Sequence, residues 1–225
     1  LVQSWKDIFP KKGEIHFAGA LENNEDTGTL QYLASTAMEA GFSTRVLDMQ
    51  ALDLQNGRFF DPAGELVNRC FKLYPWEWMV DESPDGCLAE MEWLEPIWKL
   101  VMSNKAILAT LYELFPDSPY VLPCYLSRPR SGLFCKKPVF SREGHNVSVV
   151  DIRNWEEHVR IAETEGDYNT GAYVYQEYVE PTAYSGRYPV IGSWIIGGEA
   201  AGIGIRENRM EVTDNLSEFV PHIIG

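Results

Sequence analysis

The sequence predicts a chain that combines an α/β region at its start with an α+β region after it. Residues 14–47 read as strand, helix and strand, and this order is typical of a βαβ unit with parallel strands. Residues 133–150 and 189–205 each read as two strands joined by a short turn, which indicates antiparallel hairpins. Parallel and antiparallel strands are therefore both expected, in that order along the chain.

The first predicted strand, residues 14–21, is apolar, and apolar residues at helical spacing follow over 30–38. Gly41 ends this helix, and residues 44–47 form the second strand. Glu25 and Asp26 fall between strand and helix, where α/β folds place ligand-binding groups. They are equally consistent with the first turn of the helix, where the helix dipole favours acidic residues, and this is the default.

An aromatic segment at 71–79 follows turns at 56–57 and 62–64, which leave a short hairpin around 59–60. Aromatic clusters usually belong to a core. Glu77 stands between two tryptophans, however, and a buried carboxylate needs a partner. Glu77 is therefore a candidate binding residue.

Residues 81–86 are turn-like, and Pro96 suits the first turn of a long helix that runs to Leu114 and ends before Pro116. Lys105 interrupts the apolar neighbourhood of this helix. Its ammonium group can reach solvent along an apolar stem, or it can reach a nucleotide phosphate.

The hairpin at 133–150 carries basic residues beside a glycine. Lys137 lies at the end of its first strand, and Arg142 and Gly144 lie in its loop. Glycine lets a backbone approach a ligand closely, and backbone N–H groups with lysine and arginine suit a polyphosphate. From these residues alone, the alternative is a solvated hairpin with a basic rim.

The last third of the chain is predicted to hold one helix and several strands. Asn154 suits the cap of a helix over 155–165, which Gly166 ends. The β-rich run 172–179 predicts a central strand, and the second hairpin brings Arg206 to the end of a strand. The remaining strands are predicted at 189–196 and 200–205, joined by Gly197 and Gly198, and within 211–219.

The chain has 33 acidic and 19 basic residues and a formal net charge of −14. This charge disfavours binding to nucleic acid or to an anionic membrane, because their phosphates attract lysine and arginine. It is compatible with a cationic substrate such as a polyamine and, as the default, with an ordinary acidic protein.

The cysteines are scattered without zinc-ligand spacing, so reduced thiols in a cytoplasmic protein are expected and no metal ligand is assigned; they are Cys70, Cys87, Cys124 and Cys135. No apolar run reaches the roughly 18 residues that span a bilayer, and the first residues do not form a signal peptide. Because the sequence begins with Leu1 rather than methionine, we expect a fragment or a processed chain.

Three common catalytic motifs are absent from the sequence. It has neither a G-x-x-x-x-G-K-[ST] phosphate loop nor a G-x-S-x-G nucleophile elbow. Gly202 and Gly204 lack the third glycine and the helix of a dinucleotide fingerprint. These absences argue against P-loop hydrolysis, dinucleotide redox chemistry and serine hydrolysis.

Seven runs, taken in order, resemble the synthetase domain of the glutathionylspermidine synthetase family, which has an ATP-grasp fold. They are 71–79 (FKLYPWEWM), 103–108 (SNKAIL), 137–138 (KP), 141–144 (SREG), 175–178 (YQEY), 188–194 (YPVIGSW) and 202–207 (GIGIRE). The similarity covers nearly the whole chain from residue 14 onward. It implies a pre-ATP-grasp-like substrate region over 1–95 and a two-lobed ATP-grasp nucleotide-binding region over 96–225, with the N-terminal part of the domain missing.

The resemblance implies an ATP-dependent carboxylate–amine ligase. In the family, ATP activates a peptide carboxylate such as that of glutathione as an acyl phosphate, and a polyamine then attacks it to form an amide. Both steps build negative charge on oxygen, which lysine, arginine and backbone N–H groups stabilise.

The resemblance assigns Lys105 and Lys137 to the ATP phosphates, and Arg142 with Gly144 to a loop over the γ-phosphate. Arg206 would face the transferred phosphoryl group. The adenine would be bordered by Gln176, Glu177 and Tyr178. Charge complementarity adds three candidate residues for the ammonium groups of a polyamine, namely Glu25, Asp26 and Glu77.

Relatives in the family carry their Mg²⁺ ligands before the matched region, and this sequence shows no convincing equivalent. Because Mg²⁺ normally bridges the β- and γ-phosphates, we expect this chain alone to bind nucleotide weakly and not to turn over. We expect no amidase domain of the kind that some relatives carry, and we expect His145, which replaces a small residue in the loop, to alter the closure of that loop. The alternative is a degenerate, non-catalytic ATP-grasp module that binds a nucleotide, a peptide or a protein partner.

Overall fold

The computed structural model describes residues 1–161, 163–168, 171–212 and 217–223. The chain forms two compact units, Leu1–Leu100 and Val101–Gly225, and each is described by itself. No helix within the described ranges is long and apolar enough to cross a membrane. The predicted roles of residues 1–95 and 96–225 stay predictions.

The first unit is built on a parallel sheet. Its elements are α1 (Val2–Ile8), β1 (Glu14–Gly19), α2 (Asn24–Glu39), β2 (Ser43–Asp48), β3 (Asp53–Gln55), β4 (Arg58–Phe60), β5 (Leu66–Val67), β6 (Arg69–Leu73), α3 (Trp76–Glu82), α4 (Pro84–Cys87) and β7 (Glu92–Leu94). Four parallel strands lie in the order β2-β1-β6-β7. The predicted βαβ unit is thus confirmed.

Helix α2 covers one face of this sheet. Ile15 and Phe17 of β1 are fully buried in one core with Leu30 of α2. The helix begins where the side chain of Asn23 accepts a hydrogen bond from the N–H of Glu25 at 2.9 Å. It ends before Gly41, whose φ of +94° suits glycine. These contacts fix the edge of the sheet at which α2 starts.

The hairpin predicted around residues 59–60 is confirmed as β3 and β4. Asn56 and Gly57 form its turn with φ values of 51° and 75°, and β5 adds a third antiparallel strand. The turn predicted over 81–86 is wrong, because α3 extends to residue 82 and α4 begins at Pro84. Proline suits the first turn of a helix, so it starts α4 rather than a loop.

The second unit contains two antiparallel sheets. Its elements are α5 (Leu100–Ser103, which starts at the last residue of the first unit), α6 (Ala106–Leu114), β8 (Cys124–Tyr125), β9 (Gly132–Pro138), β10 (Ser148–Arg153), β11 (Glu156–Ile161), β12 (Tyr173–Glu177), β13 (Tyr188–Ile196), β14 (Glu199–Asn208) and β15 (Glu218–Val220). One sheet has the order β11-β10-β9-β12-β8 and the other the order β13-β14-β15. Both predicted hairpins, β9 with β10 and β13 with β14, are confirmed.

The single helix predicted over 96–114 is wrong, because the segment breaks at Asn104 and Lys105. The side chain of Asn104 accepts a hydrogen bond from the N–H of Ala106 at 2.8 Å. The N–H of Lys105 donates to the carbonyl of Val139, also at 2.8 Å. Asparagine competes with a helix for backbone N–H groups, so a 3₁₀ turn (Ile97–Lys99), α5 and α6 replace one long helix.

The helix predicted over 155–165 is also wrong, because β11 occupies most of this segment. Asn154 and Trp155 have φ values of 51° and 72°. Two successive positive φ values make a hairpin turn, which places Arg153 opposite Glu156 on the neighbouring strand. The last strand, predicted within 211–219, is present as β15, while residues 213–216 lie outside the described residues.

Candidate functional site

A cavity of about 300 Å³ in the second unit brings together five of the residues predicted from the sequence. Lys105, Lys137, Arg142, Gly144 and Tyr178 all line it. They come from the start of α6, from β9, from the loop between β9 and β10, and from the end of β12. Two neighbouring strands of one sheet, a loop and a helix start therefore converge on one cavity.

Lys105 is positioned by the break before α6. Its backbone N–H donates to Val139, and its ammonium group donates to the hydroxyl of Ser141 at 2.9 Å and to the carbonyl of the same residue. Ser141 is buried and begins the loop between β9 and β10. The lysine and the loop are therefore tied together at this end of the cavity.

Lys137 is positioned by the pairing of β9 with β12. Its ammonium group donates to Oε1 of Gln176 at 2.7 Å. Alternation along β9 puts Cys135 on the same face, where it also lines the cavity and where burial raises the pKa of its thiol. The side chain that Lys137 contacts here is therefore a neutral amide and not a carboxylate.

The loop after β9 requires glycine. Gly144 has a φ of 75°, and the next N–H, that of His145, donates to the carbonyl of Arg142 at 2.8 Å. The ring of His145 lies 5.9 Å from the ring of Tyr168 and does not line the cavity in the part of the chain described. Because glycine has no side chain, it adopts this conformation easily, and a ligand can approach the backbone closely at Gly144.

Tyr178 and Glu211 close another side of the cavity. The hydroxyl of Tyr178 donates to Oε2 of Glu211, and both residues line the cavity. Burial, together with the neighbouring carboxylate, raises the pKa of Tyr178, so its hydroxyl stays protonated as a donor. The bond links the end of β12 to the segment after β14.

Three predicted residues of the second unit lie outside the cavity wall, as far as the described residues define it. Gln176 reaches the cavity only through Lys137. Glu177 has an exposed side chain, and its N–H donates to the carbonyl of Pro123 at 2.7 Å. The guanidinium of Arg206 on β14 lies 5.7 Å from the ring of Phe219. The predicted adenine and phosphoryl contacts of these residues stay predictions.

The predicted acidic residues lie in the first unit. Glu25 and Asp26 occupy the first turn of α2, and Glu77 occupies the first turn of α3. Helix α2 follows β1 and α3 follows β6, and these two strands are parallel neighbours. All three residues therefore lie at the carboxyl edge of one sheet. Ligands often bind at this edge in α/β folds.

The sequence reasoning missed several residues of the cavity. Ser141 and Cys135 carried a usable signal, since Ser141 starts the glycine loop and Cys135 lies two residues before Lys137 on a strand. Glu211 and Val212 follow β14 without any local pattern that marks them. Only the folded chain brings them to the cavity.

The residues that the structure describes include no group of three or more His, Cys, Asp or Glu side chains that could hold a metal ion. Glu143 and Glu211 are the acidic residues in the cavity wall as described. Mg²⁺ prefers a nearly octahedral set of oxygens. These residues alone do not fit a complete Mg²⁺ site.

The family profile described as "Glutathionylspermidine synthase preATP-grasp" matches residues 1–225. The chain is 35% identical over 221 residues to a Haemophilus influenzae protein named "Putative acid--amine ligase", covering 94% of this chain and 56% of that protein. It is 28% identical over 236 residues to the trypanothione synthetase of Crithidia fasciculata, covering 92% and 35%. It is 26% identical over 232 residues to the bifunctional glutathionylspermidine synthetase/amidase of Escherichia coli, covering 89% and 36%.

The chain thus spans about half the length of the first relative and about a third of the other two. Among solved structures, the D-cycloserine synthetase DcsG matches with a TM-score of 0.52 at 15% identity, covering 86% of this chain and 68% of that one. At this identity the structural match supports a shared fold and nothing more.

Proposed function

The chain belongs to the glutathionylspermidine synthase pre-ATP-grasp family, and from this premise we propose that it forms the nucleotide-binding part of an ATP-dependent carboxylate–amine ligase. One observation carries the proposal: Lys105, Lys137 and Arg142 meet a glycine loop at a single cavity. The names of the relatives, an acid–amine ligase and two synthetases, agree with this chemistry.

Bound ATP would supply the phosphoryl group that activates a carboxylate before an amine attacks it. The cavity suits the triphosphate because Lys105 and Lys137 donate to neutral oxygens, those of Ser141 and Gln176. For Lys137, exchanging the neutral amide oxygen for a phosphate oxygen pairs the ammonium with a negative charge and so strengthens the bond. The two lysines would therefore orient the phosphates and stabilise the charge that develops on them.

The loop would cover the phosphates. Arg142 lines the cavity beside Gly144, where the backbone can approach a γ-phosphate closely. Tyr178 would border the adenine together with Gln176 and Glu177, and Arg206 would contact the transferred phosphoryl group. Mg²⁺ enters no step here, since the described residues do not make a complete site for it.

The substrates in this proposal are a peptide carboxylate, such as that of glutathione, and a polyamine. The acidic residues at the carboxyl edge of the first sheet would bind the ammonium groups of the amine; they are Glu25, Asp26 and Glu77. If they do, replacing Glu25 and Asp26 by amides raises the KM for the amine in an active enzyme. An unchanged KM would remove this assignment.

The second candidate is a degenerate, non-catalytic module. Its support is that the described residues of the cavity wall do not make a complete metal site. A titration of the chain with ATP by isothermal calorimetry, with and without Mg²⁺, tests nucleotide binding, and absence of binding would favour the non-catalytic module. We expect weak binding by the wild type and binding about tenfold weaker or worse by Lys137→Ala, since a charge-assisted bond is worth about 1.5–3 kcal/mol.

Lys136→Ala is the matched control, because it removes a lysine from the same strand on the opposite face of the sheet. Its affinity for ATP should equal that of the wild type, with folding checked by circular dichroism. Absence of ATP binding by the wild-type chain, or equal losses in both variants, would contradict the nucleotide-binding proposal.

A further inference from the structure

A second cavity, of about 660 Å³, lies in the first unit at the amino ends of three parallel strands. Its walls include Glu14, Arg69 and Glu92, which are the first residues of β1, β6 and β7. The opposite, carboxyl edge of the same sheet carries the predicted amine-binding residues, Glu25, Asp26 and Glu77. This cavity is therefore separate from the predicted amine-binding residues.

His16 lines this cavity, and its buried ring nitrogens are unsatisfied. The residue as a whole is 1% exposed to solvent, and neither nitrogen of its imidazole ring has a hydrogen-bond partner among the described residues. The nearest carboxylate oxygens, of Glu14 and Asp61, lie 3.8 Å from Nε2, beyond hydrogen-bond distance. A buried polar group without a partner is costly, so a ligand that bonds to the imidazole would be stabilised.

The carboxylates of the cavity wall, and that of Asp61 near His16, are already paired with arginines. The pairs are Glu14 with Arg45 at 2.9 Å, Asp61 with Arg45, Glu90 with Arg58 at 3.0 Å, and Glu92 with Arg69 at 2.8 Å. Asp61 also accepts hydrogen bonds from the N–H groups of Ala63 and Glu65. A cationic ligand would have to compete with these arginines.

Donor groups, in contrast, remain available. Arg69 uses Nε for Glu92 and Nη1 for the carbonyl of Lys11, and its Nη2 makes no hydrogen bond within the described part of the chain. The side-chain amide of Asn68 has no hydrogen bond there either, and the ammonium of Lys12 donates only to the carbonyl of Ala40. The uncommitted groups on the wall are therefore mostly N–H donors.

We propose that this cavity binds a small organic carboxylate. The carboxylate oxygens would accept hydrogen bonds from Nη2 of Arg69 and from the amide of Asn68, while a second polar group of the ligand would bond to His16. Arginine suits this role because its planar fork matches a carboxylate. The proposal does not rest on the ligase function, since it involves other residues and another cavity.

Histidine-selective NMR tests this proposal with three five-carbon probes at constant pH and ionic strength. The probes are glutarate, the neutral glutaramide and the cationic pentane-1,5-diamine. The His16 signal is assigned by eliminating those of His145, His158 and His222 through single His→Gln variants. We expect glutarate to shift the His16 signal saturably, and the other two probes to shift it at least about tenfold more weakly.

Two wall variants and one control complete the experiment. Arg69→Gln should weaken glutarate binding about tenfold, and Asn68→Ala, at an exposed side chain, about threefold. Arg153→Gln, which removes an exposed arginine paired with Asp151, should leave binding unchanged. The proposal is overturned if glutaramide or the diamine matches glutarate, if no probe shifts the His16 signal, or if Arg153→Gln weakens binding as much as Arg69→Gln.

Discussion

The bond between Gln176 and Lys137 allows a quantitative test of how the phosphate-binding candidates are held. Oε1 of Gln176 accepts from the ammonium of Lys137 at 2.7 Å, and both side chains are half-buried between β12 and β9. A hydrogen bond to a charged group is worth about 1.5–3 kcal/mol. We expect Gln176→Ala to lower the free energy of unfolding of this sheet by about 2 kcal/mol. Native-state hydrogen exchange at the amides of β9 and β12 measures the change within the second unit.

A double-mutant cycle shows whether the lost stability comes from the Lys137 ammonium that Gln176→Ala leaves without its hydrogen-bond partner. In a Lys137→Met background no charge remains, so Gln176→Ala should cost only about 0.5 kcal/mol, which gives a coupling energy of about 1.5 kcal/mol. Gln55→Ala is the matched control, since Gln55 bonds to Asp53 on an exposed hairpin and should change stability by less than about 0.5 kcal/mol. Additivity of the Lys137 and Gln176 changes would refute the reasoning.

Two further predictions concern the turn after β10 and the buried histidine. Trp155 is 55% exposed and has a φ of 72°, so Trp155→Gly should relieve strain and raise the free energy of unfolding by about 1 kcal/mol, and an unchanged or lower urea midpoint would contradict this. Burial lowers the pKa of His16 from 6.5, although Glu14 and Asp61 act in the opposite direction. Because the folded state then binds the proton less readily than the unfolded state, the stability of the first unit should fall as pH drops below 6.5. The thermal midpoint should fall less steeply over this range in His16→Gln, and equal slopes would show that other groups dominate.

Local patterns were sufficient to predict the hairpins and the βαβ unit. Gly197 and Gly198 are the two residues between β13 and β14, with φ values of 60° and 86°, as a two-residue turn requires. Apolar spacing and the glycine at position 41 likewise define α2 within a few residues. In these segments the local preference and the tertiary structure agree.

The errors arose where one residue type serves two local structures. Asparagine can cap a helix, but it also tolerates a positive φ. Asn154 has a positive φ, so a hairpin replaces the predicted helix. At Asn104 the side chain binds a backbone N–H inside an otherwise apolar helical pattern and interrupts it. Glu211 joins the cavity through its bond to Tyr178, 33 residues earlier, which no local pattern encodes.

The two neighbouring lysines of β9 show what decides which of them faces a nucleotide. Strand alternation puts Lys136 and Lys137 on opposite faces of the sheet. Lys136 forms an ion pair with Glu157 at 2.9 Å, and Glu157 also accepts a hydrogen bond from Tyr175 at 2.7 Å. Breaking this half-buried ion pair would leave the carboxylate of Glu157 without its lysine, which is costly, so Lys136 is a poor phosphate ligand.

Lys137 bonds to a neutral amide instead, and it has no carboxylate partner in the part of the chain described. A phosphate can therefore take the place of Gln176 without leaving a buried charge unpaired. The sequence pattern predicted a helix over residues 155–165, and this prediction gave no indication that Glu157 pairs with Lys136. The hairpin turn at Asn154 and Trp155 brings Glu157 next to Lys136. Of the two lysines of β9, Lys137 is therefore the one that has no carboxylate partner among the described residues and lines the cavity.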